Sequence, residues 1–260
     1  MQDSWNIGDP YEYYMGRWSK LVAEQFVDWL APENGRKWLD VGCGSGALSE
    51  AIVTRRGPDS LIALDQSEGF VHTAQQRLGG KAHCKVGNAL SLPFDDASFD
   101  IAVSGLVLNF IPEPERALAE MRRVTRKGGT AALYVWDYAG KMEFLKYFWD
   151  VVVEIEPGAS SLHEGRRFPD CNGERLIDIF TRGGFAQVEA APLDIVMRFS
   201  DFEDYWRPFL GGQGPAPTYV SKLDESETKR LRETLARRVP VNPDGSIALA
   251  ARAWATKGVV

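Results

Sequence analysis

One run constrains this chain more than any other: Leu39-Asp40-Val41-Gly42-Cys43-Gly44-Ser45-Gly46-Ala47-Leu48. An apolar burst enters three alternating glycines, and a helical pattern leaves them. That order is a strand, a tight turn and a helix start. Glycine admits the backbone angles of such a turn and lets a ligand approach closely. The helix start offers N–H groups that lack intrahelical partners. A ligand-free βα turn does not call for three glycines at alternate positions, so the loop reads as a small-molecule cradle.

The flanking sequence extends the pattern. Between residues 36 and 136 the apolar bursts are Trp38-Leu39-Asp40-Val41, Leu61–Leu64, Ala82–Val86, Ile101–Val103 and Ala131–Trp136. Helical patterns separate them, over Ala47–Arg55, over Ser67–Leu78, and from Pro114 with Ala117, Met121 and Val124 on one face. Strands alternating with helices mark βαβ units and a parallel sheet. Arg122, Arg123, Arg126 and Lys127 crowd the end of the third helix before Gly128-Gly129. A phosphate-binding patch is one reading. The favoured one is a helix C-terminus complemented by cations and capped by glycine.

The type of ligand turns on two acids. Gly42, Gly44 and Ala47 also satisfy the dinucleotide fingerprint, and an acid at the end of the second strand suits either a dinucleotide or a nucleoside. Asp65 stands there, 23 residues after Gly42. Asp40 separates the two cases. A carboxylate two residues before the loop repels a pyrophosphate and attracts an ammonium group. A nucleoside ending in an amino acid, such as S-adenosylmethionine, therefore fits better than a nicotinamide dinucleotide, which remains the alternative.

Composition removes other classes. Lys plus Arg number 30 against 36 Asp plus Glu, a net charge of −6, which argues against a nucleic-acid binder and a basic membrane-surface protein. No apolar run approaches the ~20 residues of a membrane span, and Met1–Asn6 lacks the basic and apolar regions of a leader. Cys43, Cys84 and Cys171, like His72, His83 and His163, are too scattered for a disulfide framework or a zinc site. A cytoplasmic protein is expected. Outside the alternating core lie an aromatic arm (Trp5–Trp18) and a helix from about Ser19 carrying Val22, Phe26, Trp29 and Leu30. An aromatic helix over Lys141–Ile155, loops over 156–173 and 211–215, and a helix over Asp224–Arg238 follow. Phe185–Ala191 and Ile247–Trp254 are strand candidates. The aromatics read mostly as core, with a few left to line an apolar pocket. His163 reads as a solvated loop residue rather than a base.

Several motifs together resemble the class I S-adenosylmethionine-dependent methyltransferases. Leu39–Gly46 resembles their first motif, Leu64-Asp65 the second, and Gly87-Asn88-Ala89 the place where the family carries Gly-Asp-Ala. Leu92-Pro93-Phe94-Asp95-Asp96-Ala97-Ser98-Phe99-Asp100 is similar to the small-molecule branch that includes ubiquinone- and menaquinone-pathway enzymes, and Leu106–Gly129 to the segment before the fifth strand. Tyr14–Ser19 is similar to the N-terminal arm. The resemblance implies a doubly wound α/β, Rossmann-like sheet of seven strands, the last antiparallel, with a helical cap. It implies one methyltransferase domain over 1–260. The cofactor core would be 31–139, completed by 172–199 and 245–260, and the cap 1–30, 140–171 and 200–244.

The resemblance also implies roles. Asp65, followed by Gln66, takes the ribose; Asn88 and Ala89 take the adenine; Gly42 and Gly44 take the methionine part. Asp40 and the Ser104 carbonyl meet the ammonium, and Arg17 the carboxylate. Asn88 replaces the usual Asp, yet its amide oxygen still accepts a hydrogen bond. Asn109-Phe110 stands where relatives have His-His or His-Phe, and Asn cannot take a proton, so no catalytic base is assigned. The expected activity is methyl transfer to a small-molecule acceptor. A non-catalytic cofactor-binding module is the second alternative.

Overall fold

A computed structural model describes residues 12–212 and 214–260. The expected arm from Trp5 to Tyr11 lies outside them. The seven strands are β1 (Lys37–Val41), β2 (Ser60–Asp65), β3 (His83–Val86), β4 (Phe99–Gly105), β5 (Thr125–Trp136), β6 (Ala186–Phe199) and β7 (Ile247–Val259). They form one sheet in the order β3-β2-β1-β4-β5-β7-β6. The first five are parallel neighbours, while β7 lies antiparallel between β5 and β6. The doubly wound sheet with an antiparallel last strand is as expected. Sequence order reverses between β1 and β4, where an open α/β sheet leaves a crevice beyond its strand ends.

Helix α1 (Arg17–Leu30) continues a short π-helical turn (Glu12–Gly16) and buries Val22, Phe26 and Leu30 of the expected stripe, with Trp18 added and Trp29 only half-buried. α2 (Ala47–Arg56) leaves the glycine loop at Gly46. That glycine has φ +90°, and a Cβ there would stand 3.2 Å from the Ala74 Cβ. Its lack of a side chain lets α2 pack tightly on α3 (Glu68–Leu78), whose N-terminus is capped by Ser67.

The end of α4 (Pro114–Val124) differs from the sequence reading. The chain passes straight into β5 through an extended Thr125, and Gly128-Gly129 lies within that strand rather than capping the helix. The arginines have protein partners. Arg123 reaches Glu120, Asp96 and the carbonyls of Leu92 and Phe94; Arg126 pairs with Asp100; Arg122 donates to the Gly184 carbonyl. The cluster pins the 92–100 segment to the helix.

The C-terminal half is more ordered than its composition suggests. After α5 (Glu143–Ile155), the expected 156–173 loop contains a 3₁₀ helix (Pro157–Leu162) and a single turn, α6 (Glu164–Arg167). Side chains start the turns that follow the 3₁₀ helix: His163 Nδ1 accepts from the Gly165 N–H at α6, and Asn172 Oδ1 accepts from the Arg175 N–H at the start of α7 (Gly173–Arg182). Strand β6 runs eight residues past the expected Ala191. Leu193, Ile195, Met197 and Phe199 are buried in alternation, and Pro192 is tolerated because β6 is an edge strand. Short helices α8 (Phe202–Trp206) and α9 (Pro215–Val220) precede α10 (Glu225–Arg238), which opens on a capping box of Asp224 and Glu227.

Aromatic rings fasten these elements together. Phe144 stacks on Phe209 at 4.7 Å and on Phe199 at 5.6 Å; Phe148 stacks on Phe209 at 4.4 Å; Trp18 meets Phe199 at 4.9 Å. Most of the aromatics are core, as read from the sequence. No described helix is long and apolar enough to cross a membrane.

Arg123 offers a test. Its fan of bonds to carboxylates and carbonyls is partly shielded, so Arg123→Ala should lower unfolding stability by about 2 kcal/mol in urea titration. Arg126→Ala, which removes a more exposed pair, should cost about 1 kcal/mol or less. Equal small losses in both would refute the pinning role.

Candidate functional site

Beyond the C-terminal ends of β1, β2 and β4 lies a cavity of about 140 Å³ lined by Gly42, Gly44, Asp65, Gln66, Gly105 and Val107, among others. A second, of about 220 Å³, shares Gly42, Asp65, Gln66, Val107 and Phe110 and adds Asn88, Ala89 and Leu90 beyond β3. Together they form one trough running from β4 across the glycine loop to β3. Six of the nine residues expected to hold the cofactor line it: Gly42, Gly44, Asp65, Gln66, Asn88 and Ala89.

The glycine loop is bound to its neighbours. The N–H groups of Gly42 and Cys43 both donate to the Leu64 carbonyl, at 2.7 and 2.9 Å. Asp65 accepts from the Gly44 N–H with Oδ2 and from the Ser67 N–H with Oδ1, each at 2.9 Å. Gly42 has φ +75°, and a Cβ on it would stand 2.7 Å from Val107 Cγ1. A side chain there would drive Val107 into the trough.

Asp40 does not line the trough. It lies beneath it, fully buried, with Oδ2 accepting from the Ser49 hydroxyl at 2.7 Å. Its Oδ1 has no partner among the described residues. Its pKa is raised to about 7, chiefly by burial, with the Ser49 bond opposing the shift and the Asp65 charge adding to it. Burial also raises Asp65, opposed by the N–H bonds it accepts. Cys43 rises well above the usual thiol range for the same reason, and the two acids add to it, so the loop thiol stays protonated. The buried Asp40 carboxylate, whose Oδ1 has no partner among the described residues, and the half-buried Asp65 beside it leave this floor short of positive charge. A ligand carrying an ammonium and a sulfonium fits that deficit; a pyrophosphate does not.

Ser104 also lies just outside the trough, and the next residue, Gly105, lines it. The Ser104 hydroxyl donates to the Val41 carbonyl at 2.8 Å, joining β4 to the end of β1. Asn88 lines the far end, where its Oδ1 accepts from the Leu90 N–H at 2.9 Å and shapes the turn after β3.

Arg17 goes elsewhere. Its guanidinium pairs with Asp204 at 3.1 Å and covers the rings of Trp18 and Phe199 at 4.1 and 5.0 Å. The structure therefore does not bring it to the place expected for the cofactor carboxylate. The arm contributes Ser19 to the cavity wall instead, and β5 contributes Tyr134. Neither was singled out from the sequence. Strand alternation does put Tyr134 and Trp136 on one face and Val135 on the other, but only sheet order shows which face meets the cavity.

Asn109 and Phe110 part company. Both amide atoms of Asn109 are buried without partners among the described residues. The side chain lines a separate cavity with Val135, Phe168 and Arg175. Phe110 faces the trough and also a smaller aromatic cavity beside it, lined by Tyr14, Leu106, Trp136, Tyr138 and Glu164. His163 lines none of these cavities. Its Nε2 stands 3.3 Å from Asp150, and burial lowers its pKa.

Known proteins place this geometry. A family model described as a methyltransferase domain matches residues 39–133. The demethylmenaquinone methyltransferase of Geobacillus stearothermophilus is 29% identical over 193 residues, covering 68% of this chain and 80% of that protein. The ubiquinone/menaquinone biosynthesis C-methyltransferase of Dinoroseobacter shibae is 32% identical over 187 residues, covering 65% of this chain and 74% of that protein. Among solved structures, a candidate methyltransferase of Bacillus halodurans shares the fold, with a TM-score of 0.59 at 17% identity over 91% of this chain and 97% of the other.

Asp40 makes binding pH-dependent with a definite sign. Its carboxyl is raised above the ordinary aspartate range, so the free protein holds it neutral in mild acid, and an ammonium ligand favours the ionised form. Affinity for S-adenosylhomocysteine should therefore fall as pH drops below about 7, approaching tenfold per pH unit at the limit. Calorimetric titration from pH 6 to 8 measures this, and Asp40→Asn should flatten the profile. The same shift means that the ionised acid opposes folding as pH rises from about 4 to about 7. Unliganded Asp40→Asn should accordingly melt above the wild type at pH 8.

Proposed function

This chain belongs to the class I S-adenosylmethionine-dependent methyltransferases, and on that premise we propose that it methylates a small, apolar, ring-bearing acceptor. The trough across the glycine loop, with half-buried Asp65 at its centre and buried Asp40 beneath it, carries the reading. The apolar surface of Leu106 and Phe110, which line the trough, supports an acceptor of that kind, as do relatives named for quinone-pathway methylation. The net charge of −6 gives no support to a nucleic-acid acceptor. The three cysteines are free thiols, in keeping with a cytoplasmic enzyme.

When bound, the cofactor supplies an electrophilic methyl carbon. The protein's work is position, electrostatics and exclusion of water. Asp65 would accept from the ribose hydroxyls, and the Gly42–Gly44 backbone would carry the methionine portion. Asn88 and Ala89 would edge the adenine, with the second lone pair of Asn88 Oδ1 open to the amino group. Asp40 and the Ser104 carbonyl would face the ammonium. Phe110 and Leu106 would separate the sulfur end from the acceptor side and keep water from it. A protein base is needed only for a nucleophile that holds its proton at working pH. Asn109, turned away from the trough, takes no part.

The direct test is incubation with labelled S-adenosylmethionine and a panel of phenolic, enolic and amine acceptors, followed by detection of S-adenosylhomocysteine. Binding variants check the residue roles. Asp65→Ala should weaken S-adenosylhomocysteine at least tenfold, since it removes charge-assisted bonds of ~1.5–3 kcal/mol each. Asn88→Asp should be mild, whereas Asn88→Leu should cost roughly 1–3 kcal/mol. A folded Asp65→Ala protein with unchanged affinity would sink the ribose assignment.

A further inference from the structure

Leu106 stands where the chain leaves β4, and its backbone is strained. Its φ is +61°, in the left-handed region that a leucine adopts at a cost. Three other described non-glycine residues have a positive φ. Ala31 caps α1, Ala97 sits in a turn, and Gln187 lies in the register shift of β6. All three are exposed, whereas Leu106 is half-buried and packs against the core. Glycine would take the same conformation freely, so the leucine side chain is what the strain retains.

The neighbouring chain holds this bend against β5. The Leu106 N–H donates to the Tyr134 carbonyl at 2.8 Å. A Cβ on the preceding Gly105 would stand 2.6 Å from Tyr134 Oη, so the main chain can lie there only without a side chain. Leu106 is thereby set at the boundary of two cavities. It lines the cofactor trough with Gly42, Gly105 and Val107, and the aromatic cavity with Trp136 and Tyr138. Phe110 is the other residue common to the two linings.

The aromatic cavity measures about 30 Å³, room for a water molecule but not for a ring. A ring lying in the trough therefore stops at Leu106. With that side chain cut back, the space it fills and the space behind it would join the trough. The new end wall would be Trp136 and Tyr138, which are rigid and apolar.

We propose that Leu106 is the specificity-determining wall of the acceptor site: its side chain ends the trough beside the cofactor, admitting single-ring acceptors and excluding fused two-ring ones. This deepens the methyltransferase reading and rests on it for the presence of cofactor and acceptor in the trough. The residue discriminates by shape, and a fixed apolar wall selects strongly because the groups around it do not yield.

The test compares phenol with 2-naphthol, which carries the same hydroxyl on two fused rings. Ligand-observed NMR titration of the full chain with S-adenosylhomocysteine bound gives both affinities. Apolar area alone favours 2-naphthol, yet the wild type should bind phenol more tightly. Leu106→Ala and Leu106→Gly should each raise the naphthol-to-phenol affinity ratio by roughly tenfold or more. Leu106→Met, which keeps the volume, should leave it within about twofold. The glycine variant should melt above the alanine variant, since only glycine escapes the conformational cost. A leucine needed for packing alone predicts lower melting temperatures with the ratio unmoved, and that result overturns the proposal. So does a wild type that prefers 2-naphthol, a methionine variant that shifts the ratio as far as alanine does, or a glycine variant that melts no higher than the alanine one. So does an absence of binding of both ligands in the wild type and the truncated variants alike. Should both truncations fail to fold, Leu106→Phe, which advances the wall, must weaken phenol. Failure of the wild type to bind S-adenosylhomocysteine overturns the proposed function and the wall with it, whereas normal binding with an unmoved ratio overturns the wall alone.

Discussion

The site depends on one carboxylate. Asp65 ends β2 and, with its two oxygens, holds the N–H of Gly44 from the loop after β1 and the N–H of Ser67 at the cap of α3. Two connections leaving adjacent strands are thereby locked at one spacing. The Leu64 carbonyl adds bonds from Gly42 and Cys43. The trough is therefore a product of backbone donors aimed at the end of a single strand. Its conformation is set before any ligand arrives, as preorganised binding requires.

That arrangement concentrates negative charge in a poorly hydrated floor. Asp40 is buried and Asp65 half-buried, and the Asp65 charge makes the Asp40 carboxylate costlier. Structural stability alone would favour neutral residues in their place. Ser49 relieves one oxygen of Asp40 and leaves the other without a partner among the described residues. The cost is intelligible when the bound molecule brings positive charge. The electrostatics thus supports an ammonium- and sulfonium-bearing cofactor independently of any likeness to known proteins.

The cap answers a different demand. Methyl transfer needs a dry, shaped space beside the sulfur, and rings provide both rigidity and apolar walls. Trp18, Phe144, Phe148, Phe199 and Phe209 bind the N-terminal helix, α5 and the end of β6 into one block. Tyr14, Trp136 and Tyr138 face inward from the edge of that block. Arg17 belongs to the same assembly, stacked on Trp18 and paired with Asp204, so its charge is spent on holding the cap.

The sequence by itself determined the cofactor half. Period-two and period-3.6 patterning located the five parallel strands and their helices, and the glycine spacing with Asp40 and Asp65 marked the cradle, because those signals are local and each is carried within one βα unit. The acceptor half was decided by tertiary structure. The helical turn of 164–167 hid in a Gly-, Pro- and Ser-rich stretch because its start depends on a side-chain cap, His163, rather than on apolar periodicity. Asn109 and Phe110 are adjacent in the chain, yet one faces away from the cofactor and the other toward it, a choice made by how the 108–110 turn packs across β5. Glu164 lines one cavity with Phe110 and Trp136 only because segments far apart in sequence converge beyond the strand ends. No local pattern encodes such a convergence; it follows from sheet order and from the aromatic packing that closes the cap.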